Sequence, residues 1–247
     1  MKHAGLHIDR KQLVGDCTFL ASRIGDMLAC DGDLEQNVSN GEFIPEEFFL
    51  DLEEPWRGRI KRIHAEDEYS EVESAAMELS DAVSADFLPI VNCIKGYQRP
   101  LGGGLGSRKG EICYNQMSEA VWFKGKNFRP PTWGNTPGEA EMKRLVTAYD
   151  GKGKKVGEEW WTTSRVETAL NKYKEAVEKA NDTVLQLLRD LAAELKEKMN
   201  ALIFISVLSV IAKTLCLHVS EGRRRNWVFP TLLSSDSDEE EAQAHSR

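Results

Sequence analysis

A run of 64 residues without glycine or proline, from Glu158 to Glu221, limits the possible folds of this chain more than any other feature. Apolar residues recur within it at steps of three and four, which places them on one face of an α-helix. The stripe consists of Val166, Leu170, Tyr173, Val177, Ala180, Val184, Leu187, Leu191, Leu195, Met199 and Leu202. Ser164 and Glu167 form a Ser-x-x-Glu capping box. We therefore expect one helix from Ser164 to Val219, roughly 80 Å long at about 1.5 Å per residue.

A stripe of this length needs a partner helix, and the segment from Glu66 to Lys95 carries a matching one. Its apolar residues are Tyr69, Val72, Ala76, Leu79, Val83, Phe87, Ile90 and Ile94, again at steps of three and four. The acidic residues 66–68 suit the positive end of a helix dipole. Pro89 predicts a kink near Asp86, because proline removes one backbone hydrogen bond of the helix.

The segment between the two helices reads as short strands and loops. Residues 101–110 form a glycine-rich loop, and no Gly-x-x-x-x-Gly-Lys-Ser/Thr phosphate-binding sequence occurs there or elsewhere in the chain. Strands are predicted at 111–117, 120–124 and 145–149, whereas 127–138 is irregular. Asp150 and Gly151 signal a hairpin turn that returns the chain through residues 156–162.

We therefore predict a mainly α fold, in which a long antiparallel helical stalk carries a small β-rich insertion at its tip, an α+β arrangement. The predicted segments are an N-terminal helical segment (1–65), an outgoing helix (66–96), the β-rich insertion (97–162), a returning helix (163–221) and an acidic tail (222–247). Within the first segment, residues 7–30 have a helical pattern interrupted at Gly15, and one short helix or turn within residues 43–59 is closed by Pro55. The tail is expected to be disordered, because its serines and acidic residues supply no core.

Charge is distributed unevenly along the chain. The formal net charge is −8, yet residues 95–165 contain thirteen Lys or Arg and seven Asp or Glu. The middle of the chain therefore carries +6 and the remainder −14. A basic insertion at the end of a stiff stalk suits contact with a polyanion.

The cysteines and the most apolar run indicate where in the cell the protein is located. The five cysteines show no metal spacing and no secretory signal precedes them, which indicates reduced thiols in the cytosol or nucleus, and we predict a nuclear protein. The run 201–212 stops at Lys213 and is shorter than the about 20 residues of a membrane span. We therefore expect that run to be a buried helix end, and no membrane partner.

Several motifs leave two interpretations open. Trp160 and Trp161 either stack on a base or sugar or pack the junction between stalk and insertion. The basic run 223–225 is either part of a nuclear-localisation signal or ordinary surface. The serines in 234–237 are either kinase sites or part of a solubilising tail. No set of histidine, cysteine, serine or carboxylate residues has catalytic or metal-binding spacing, so we expect neither enzyme activity nor a cofactor in this chain.

The order of elements resembles the lever and clamp region of MutS-family DNA mismatch repair proteins over residues 8–230. The likeness rests on Glu66-Asp67-Glu68-Tyr69 at the start of a helix, on Glu111-Ile112-Cys113-Tyr114 as a strand, and on the junction 154–162 (KKVGEEWWT) leading into a long helix. The likeness is greatest to the eukaryotic base-mismatch subunit and its plant-type relatives. In that family the clamp closes over the DNA backbone, and the levers transmit this engagement to an ATPase.

The resemblance implies that the cations of the insertion contact DNA phosphates, which position a protein without reading sequence. These are Lys152, Lys154, Lys155, Arg108, Lys109, Lys124 and Lys126. It also implies a second MutS homologue as a possible heterodimer partner, and ATP with Mg²⁺ as ligands of the full-length family but not of this chain. Glu158 and Glu159 depart from the family pattern. Because the mismatch-reading and ATPase domains are absent from the sequence, we expect a fragment that does not hydrolyse ATP.

Two functions remain open from the sequence. The first is the DNA-binding lever and clamp of a mismatch repair protein. The second is a helical-hairpin module for structural or protein-interaction roles, in which the lysines of 152–155 are merely a solvated hairpin. The dependence of DNA binding on salt concentration distinguishes them.

Overall fold

A computed structural model describes residues 9–29, 42–96, 109–126 and 139–227. The helices there are α1 (Arg10–Met27), α2 (Glu46–Glu53), α3 (Glu66–Gly96), α4 (Glu139–Met142), α5 (Ser164–Lys196) and α6 (Met199–Arg224), and the strands are β1 (Lys109–Asn115), β2 (Ala120–Lys126), β3 (Val146–Thr147) and β4 (Trp160–Thr162). The predicted irregular segment 127–138, most of the glycine-rich loop and most of the acidic tail lie outside the described residues. The chain divides into two compact units, Phe19–Leu195 and a second that combines Met1–Thr18 with Lys196–Arg247.

Helices α3 and α5 of the larger unit lie antiparallel. Lys172 Nζ donates to Glu78 Oε1 at 2.7 Å, and Thr183 Oγ1 donates to Glu68 Oε1 at 3.3 Å. The contacts thus advance eleven residues along α5 while they retreat ten along α3. Both predicted stripes are buried here, with Val72, Leu79, Val83, Phe87, Val166, Tyr173, Ala180 and Val184 each no more than 1% exposed. The predicted antiparallel helix pair is therefore confirmed.

The N-terminal helices follow the apolar pattern with one difference. Helix α1 continues through Gly15, where an interruption was expected. Helix α2 ends at Glu53, two residues before Pro55, as predicted. Its Phe48 and Phe49 are buried against Tyr173 of α5, with ring centroids 5.4 and 5.6 Å away. Helix α2 thereby covers one side of the helix pair.

The four strands form one antiparallel sheet with the order β1-β2-β4-β3. Strands β1 and β2 confirm the first two predicted strands, whereas β3 and β4 are shorter than expected. Phe123 on β2 packs against Phe87 of α3, with ring centroids 6.1 Å apart. Gly110 on β1 lies so close to Ile94 that a Cβ added there would come within 2.5 Å of its Cδ1. The sheet therefore covers the last turns of α3.

The sheet also packs along the first turns of α5. Trp122 Nε1 donates to Glu167 Oε1 at 2.7 Å, and Lys174 Nζ donates to the carbonyl of Ser118 at 2.9 Å. Ser118 belongs to the turn that joins β1 and β2. A mainly α fold with a small β-rich insertion at one end of a helix pair is thus confirmed.

The single long helix predicted from Ser164 to Val219 is wrong. It is broken at residues 197–198, where α5 ends at Lys196 and α6 begins at Met199. Lys198 has φ −102° and ψ 15°, outside the helical range, and its Nζ pairs with Asp16 Oδ1 at 2.8 Å. Because neither glycine nor proline marks this position, the local sequence does not signal the break.

The predicted capping box is displaced by one residue. Thr163, not Ser164, precedes the first helical turn, and its Oγ1 accepts a hydrogen bond from Val166 N at 3.2 Å. Glu167 does not close the box, because its carboxylate accepts from Trp122 instead. Glu167, which the sequence predicted as part of the helix cap, is therefore hydrogen-bonded to the β-sheet instead.

Residues 201–212 were expected to form a buried helix end, but in helix α6 most of their apolar side chains are exposed. Ala201 is buried and Leu202, Phe204 and Ile205 are half-buried. Eight further apolar side chains are 46–61% exposed, namely Ile203, Val207, Leu208, Val210, Ile211, Leu215, Leu217 and Val219. Apolar residues resume after Lys213, so the helix is 26 residues long and is sufficient in length and composition to cross a membrane. The prediction that this segment is too short to cross a membrane, which was made from residues 201–212, was therefore wrong.

Candidate nucleic-acid interface

A tight hairpin between β3 and β4 presents the central lysines of the predicted site. Asp150 organises its turn: Oδ1 accepts from Lys152 N at 3.0 Å and from Lys154 N at 2.7 Å. Gly153 has φ +72°, a left-handed conformation that glycine adopts without steric penalty, and its N–H donates to the carbonyl of Asp150 at 2.9 Å. The turn is thus where Asp150 predicted it, but Gly153 rather than Gly151 supplies the special backbone geometry.

Lys152, Lys154 and Lys155 are all exposed on this hairpin. Lys155 forms an isolated antiparallel bridge with Tyr149, on the strand side of the turn. The side chains of such cross-strand partners lie on the same face. The hairpin therefore carries three solvated cations and, beside one of them, a tyrosine that is 57% exposed.

Lys124 lies on β2 in a more constrained setting. Its Cα partners are Glu111 on β1 and Trp160 on β4. The Lys124 ammonium is 5.3 Å from the centroid of the Trp160 ring, within the range of a cation–π contact. This half-buried cation thus stabilises the sheet, and its charge is partly balanced by the facing carboxylate.

Lys109 is the first residue of β1, and Lys126 is the last residue of β2. They are Cα partners at the first position of the β1–β2 ladder, opposite the end where the 116–118 turn joins the strands. Arg108, also predicted to contact phosphate, lies outside the described residues.

The topology brings the predicted cations to one end of the sheet. Because β4 runs antiparallel to both β2 and β3, the hairpin is at the same end as the last residues of β2 and the first of β1. We call this end, away from the 116–118 turn, the basic end. It contains Lys109, Lys124, Lys126, Lys152, Lys154 and Lys155.

The two adjacent tryptophans pack within the protein. The Trp160 ring meets Trp122 edge to face, with centroids 6.2 Å apart, and both Trp160 and Trp161 lie partly buried against the core. Gly157 leaves room for Trp160, since a Cβ there would come within 3.3 Å of the indole Cδ1. Of the two interpretations, the geometry supports packing at the junction rather than stacking on a base.

Acidic groups limit the positive field at the basic end. Burial, and then the carboxylate of Glu111, raise the pKa of Cys113 to about 11, and nearby Lys124 opposes this shift. Glu158 is exposed beside the hairpin, whereas Glu159 is half-buried and its carbonyl accepts from Gly125 N at 2.9 Å. The free positive charge is therefore concentrated on the hairpin rather than spread over the sheet.

Two features of this site were missed by sequence reasoning. Tyr149 was assigned only to a strand, and Asp150 only to a turn signal. The pattern Tyr-Asp-Gly-Lys-Gly-Lys-Lys contains both, since an aromatic residue directly before a lysine-rich turn is placed beside a cation when the hairpin closes. Within the described ranges, no group of three or more histidine, cysteine or acidic residues is arranged to hold a metal ion.

The chain is 50% identical over 236 residues to the Arabidopsis thaliana protein named DNA mismatch repair protein MSH1, mitochondrial. The match covers 95% of this chain but only 21% of that relative. No protein-family profile matches the chain, and no solved structure does either.

This comparison corrects one expectation and confirms another. The predicted nuclear location is wrong by this match, because the relative carries a mitochondrial designation; reduced cysteines do not distinguish the nucleus from the mitochondrial interior. The finer likeness to the base-mismatch subunit stays a prediction. At the level of the family the resemblance is confirmed, and the chain is homologous to a segment of a MutS homologue.

Proposed function

We propose that this chain is the lever and clamp portion of a MutS-type mismatch repair protein, and that it grips duplex DNA through the phosphate backbone. The basic end of the sheet makes the contact. Lys152, Lys154 and Lys155 are the principal phosphate ligands, and Arg108, Lys109, Lys124 and Lys126 are proposed as further phosphate contacts. We also propose a mitochondrial role in mismatch repair, which the name of the relative supports.

The observation that carries this proposal is the exposure of three lysines on one rigid hairpin. Asp150 holds the backbone N–H groups of Lys152 and Lys154 within one turn, so the backbone positions from which these lysines extend are kept close together. The turn connects through β4 and Thr163 directly to α5. A phosphate contact at the hairpin would therefore act on the start of a 33-residue helix.

The family relationship supports further partners for the longer protein. We propose a second MutS homologue as its dimer partner, and ATP with Mg²⁺ as ligands of regions other than this chain. The chain by itself is predicted not to hydrolyse ATP, since its sequence contains no Gly-x-x-x-x-Gly-Lys-Ser/Thr motif.

The salt dependence of DNA binding tests the proposal. Each lost phosphate contact should reduce the slope of log K against log salt by about 0.9 on duplex DNA. The triple variant Lys152→Ala, Lys154→Ala, Lys155→Ala is therefore expected to lower the slope by up to about 2.7 and to bind weakly at low salt. Fluorescence anisotropy with a labelled duplex over a salt series gives both quantities.

A matched control removes the same number of charges outside the sheet. Lys11, Arg189 and Lys196 are exposed helix residues, and replacing all three by alanine should leave the slope within about one unit of the wild-type value. Equal loss of slope in both triple variants would contradict a specific basic end and would indicate a general effect of net charge.

The alternative function is a helical-hairpin interaction module without DNA binding. The exposed apolar side chains of α6 favour it, because contiguous apolar surface often marks a protein interaction site. Negligible DNA binding by the intact chain at low salt would support this alternative and reject the clamp proposal.

A further inference from the structure

Tyr149 is an aromatic side chain of the hairpin that solvent reaches, and the proposed phosphate contacts do not involve it. It precedes the turn and is 57% exposed. The neighbouring aromatic residues differ, since Trp160 and Trp161 are partly buried against the core and Trp122 is 2% exposed. The sheet therefore packs its tryptophans inward and leaves this tyrosine outside.

The backbone places Tyr149 beside a cation. Asp150 N donates to the carbonyl of Lys154 at 2.9 Å, and Val156 N donates to the carbonyl of Ala148 at 3.2 Å. These bonds flank the bridge between Tyr149 and Lys155, which is therefore a non-hydrogen-bonded pair. In such pairs the Cα atoms are about 4.5 Å apart and the side chains are at their closest. An exposed phenol ring and a solvated ammonium group thus share one face of a rigid hairpin.

This combination is what proteins use to bind nucleic acid with unstacked bases. A cation holds the backbone, and an aromatic ring stacks on a base, whose flat face is accessible only where it is not stacked in a duplex. Lysines alone would suffice for gripping an intact duplex, because phosphate contacts need no aromatic group. The face of an exposed ring adds stacking affinity only when the DNA offers a free base.

Resting on the proposed DNA contact, we propose that Tyr149 stacks on an unpaired base of DNA whose backbone is held by Lys155 and the adjacent lysines. The hairpin then prefers DNA with locally unpaired bases over intact duplex. The preference comes from stacking and depends on salt less than the overall affinity does, because the overall affinity comes from the lysines and falls with salt.

The test compares two probes and four forms of the full chain by fluorescence anisotropy. The probes are a labelled duplex and the same duplex with a short gap of unpaired thymines. The forms are the wild type, Tyr149→Ala, Tyr149→Phe and Met117→Ala. Met117 is 99% exposed in the turn at the opposite end of the sheet, which makes it a matched control for loss of an exposed side chain. Circular dichroism confirms that each variant is folded.

The wild type is expected to bind the gapped probe about 5- to 100-fold more tightly than the duplex. Tyr149→Ala should abolish that preference and leave the salt slope unchanged, while Tyr149→Phe and Met117→Ala retain the preference. Equal affinity of the wild type for both probes, or a preference that survives Tyr149→Ala, would overturn the inference. The lysine variants would still change the salt slope in that case, so the proposed phosphate contact would stand. Absence of all DNA binding would instead contradict both the phosphate contact and the stacking of Tyr149.

Discussion

At the scale of single residues, a few buried polar contacts join the elements of the larger unit. The Asp86 carboxylate on α3 is 2% exposed and accepts from Thr163 Oγ1 at 2.6 Å, with Arg144 Nη1 at 3.9 Å. Glu53 on α2 is 1% exposed, accepts from the Tyr173 hydroxyl at 2.7 Å and pairs with Arg57. Burial, followed by the charge of Glu53, raises the pKa of Tyr173 well above its usual value. Each carboxylate is thus retained in the interior because it has specific partners.

The reactivity of the Cys113 thiol is predicted to depend on pH in a way that reflects its surroundings. Its pKa is raised from 9.0 to about 11, first by burial and then by Glu111. Only the thiolate reacts with iodoacetamide, so at pH 8 the reactive fraction should be about a hundredfold smaller than for an ordinary thiol. The alkylation rate of Cys113, followed by peptide mass spectrometry, is expected to rise with pH until about 11. Exposed Cys216 should react first at pH 8. Glu111→Gln should move the Cys113 profile to lower pH, and a wild-type midpoint near 9 would contradict the assignment.

At the scale of elements, the start of α5 shows how the sheet changes a local signal. The sequence Thr163-Ser164-x-x-Glu167 contains two possible caps one residue apart, and propensity does not separate them. The pairing of β4 with β2 and β3 keeps Thr162 in extended conformation, and Thr163 then caps the helix while its hydroxyl also reaches Asp86. The cap is therefore part of the joint between sheet and helix pair.

Two single substitutions distinguish the two caps. Thr163→Ala should lower the free energy of unfolding by about 2 kcal/mol or more, since it removes the cap and leaves buried Asp86 without its donor. Ser164→Ala should change it by no more than about 0.5 kcal/mol, as for other exposed positions. Denaturant titration measures both, and Thr163→Ser should retain most of the stability because the hydroxyl is kept. A larger effect at Ser164 than at Thr163 would favour the cap predicted from sequence.

At the scale of the larger unit, apolar burial between α3 and α5 outweighs the ion pairs along their surface. Leu79 is fully buried between the helices, whereas the Lys172–Glu78 pair next to it leaves both side chains about half exposed. Exposed ion pairs are screened by water and salt and contribute between zero and about 1 kcal/mol. The stripes predicted from periodicity are thus the principal source of stability.

The contrast between these neighbours can be measured directly. Leu79→Ala is expected to lower the free energy of unfolding by about 2–5 kcal/mol, because it removes buried contacts and leaves a cavity. Lys172→Ala should lower it by less than about 1 kcal/mol, and added salt should reduce even that difference. Comparable losses for the two variants in denaturant titrations would show that the ion pair carries more of the stability than its exposure indicates.

The amino-acid sequence determined the helix stripes, the first two strands, the hairpin turn at Asp150 and the concentration of lysines in the insertion. These follow from period, turn chemistry and charge, which depend on residues close together in the chain. The tertiary structure decided what depends on distant partners: the break before Met199, the choice of Thr163 as cap, the packing of Trp160 and Trp161, and the exposure of Tyr149 and α6. A residue's local pattern sets which faces are apolar, but which neighbour covers a face depends on packing across the whole fold.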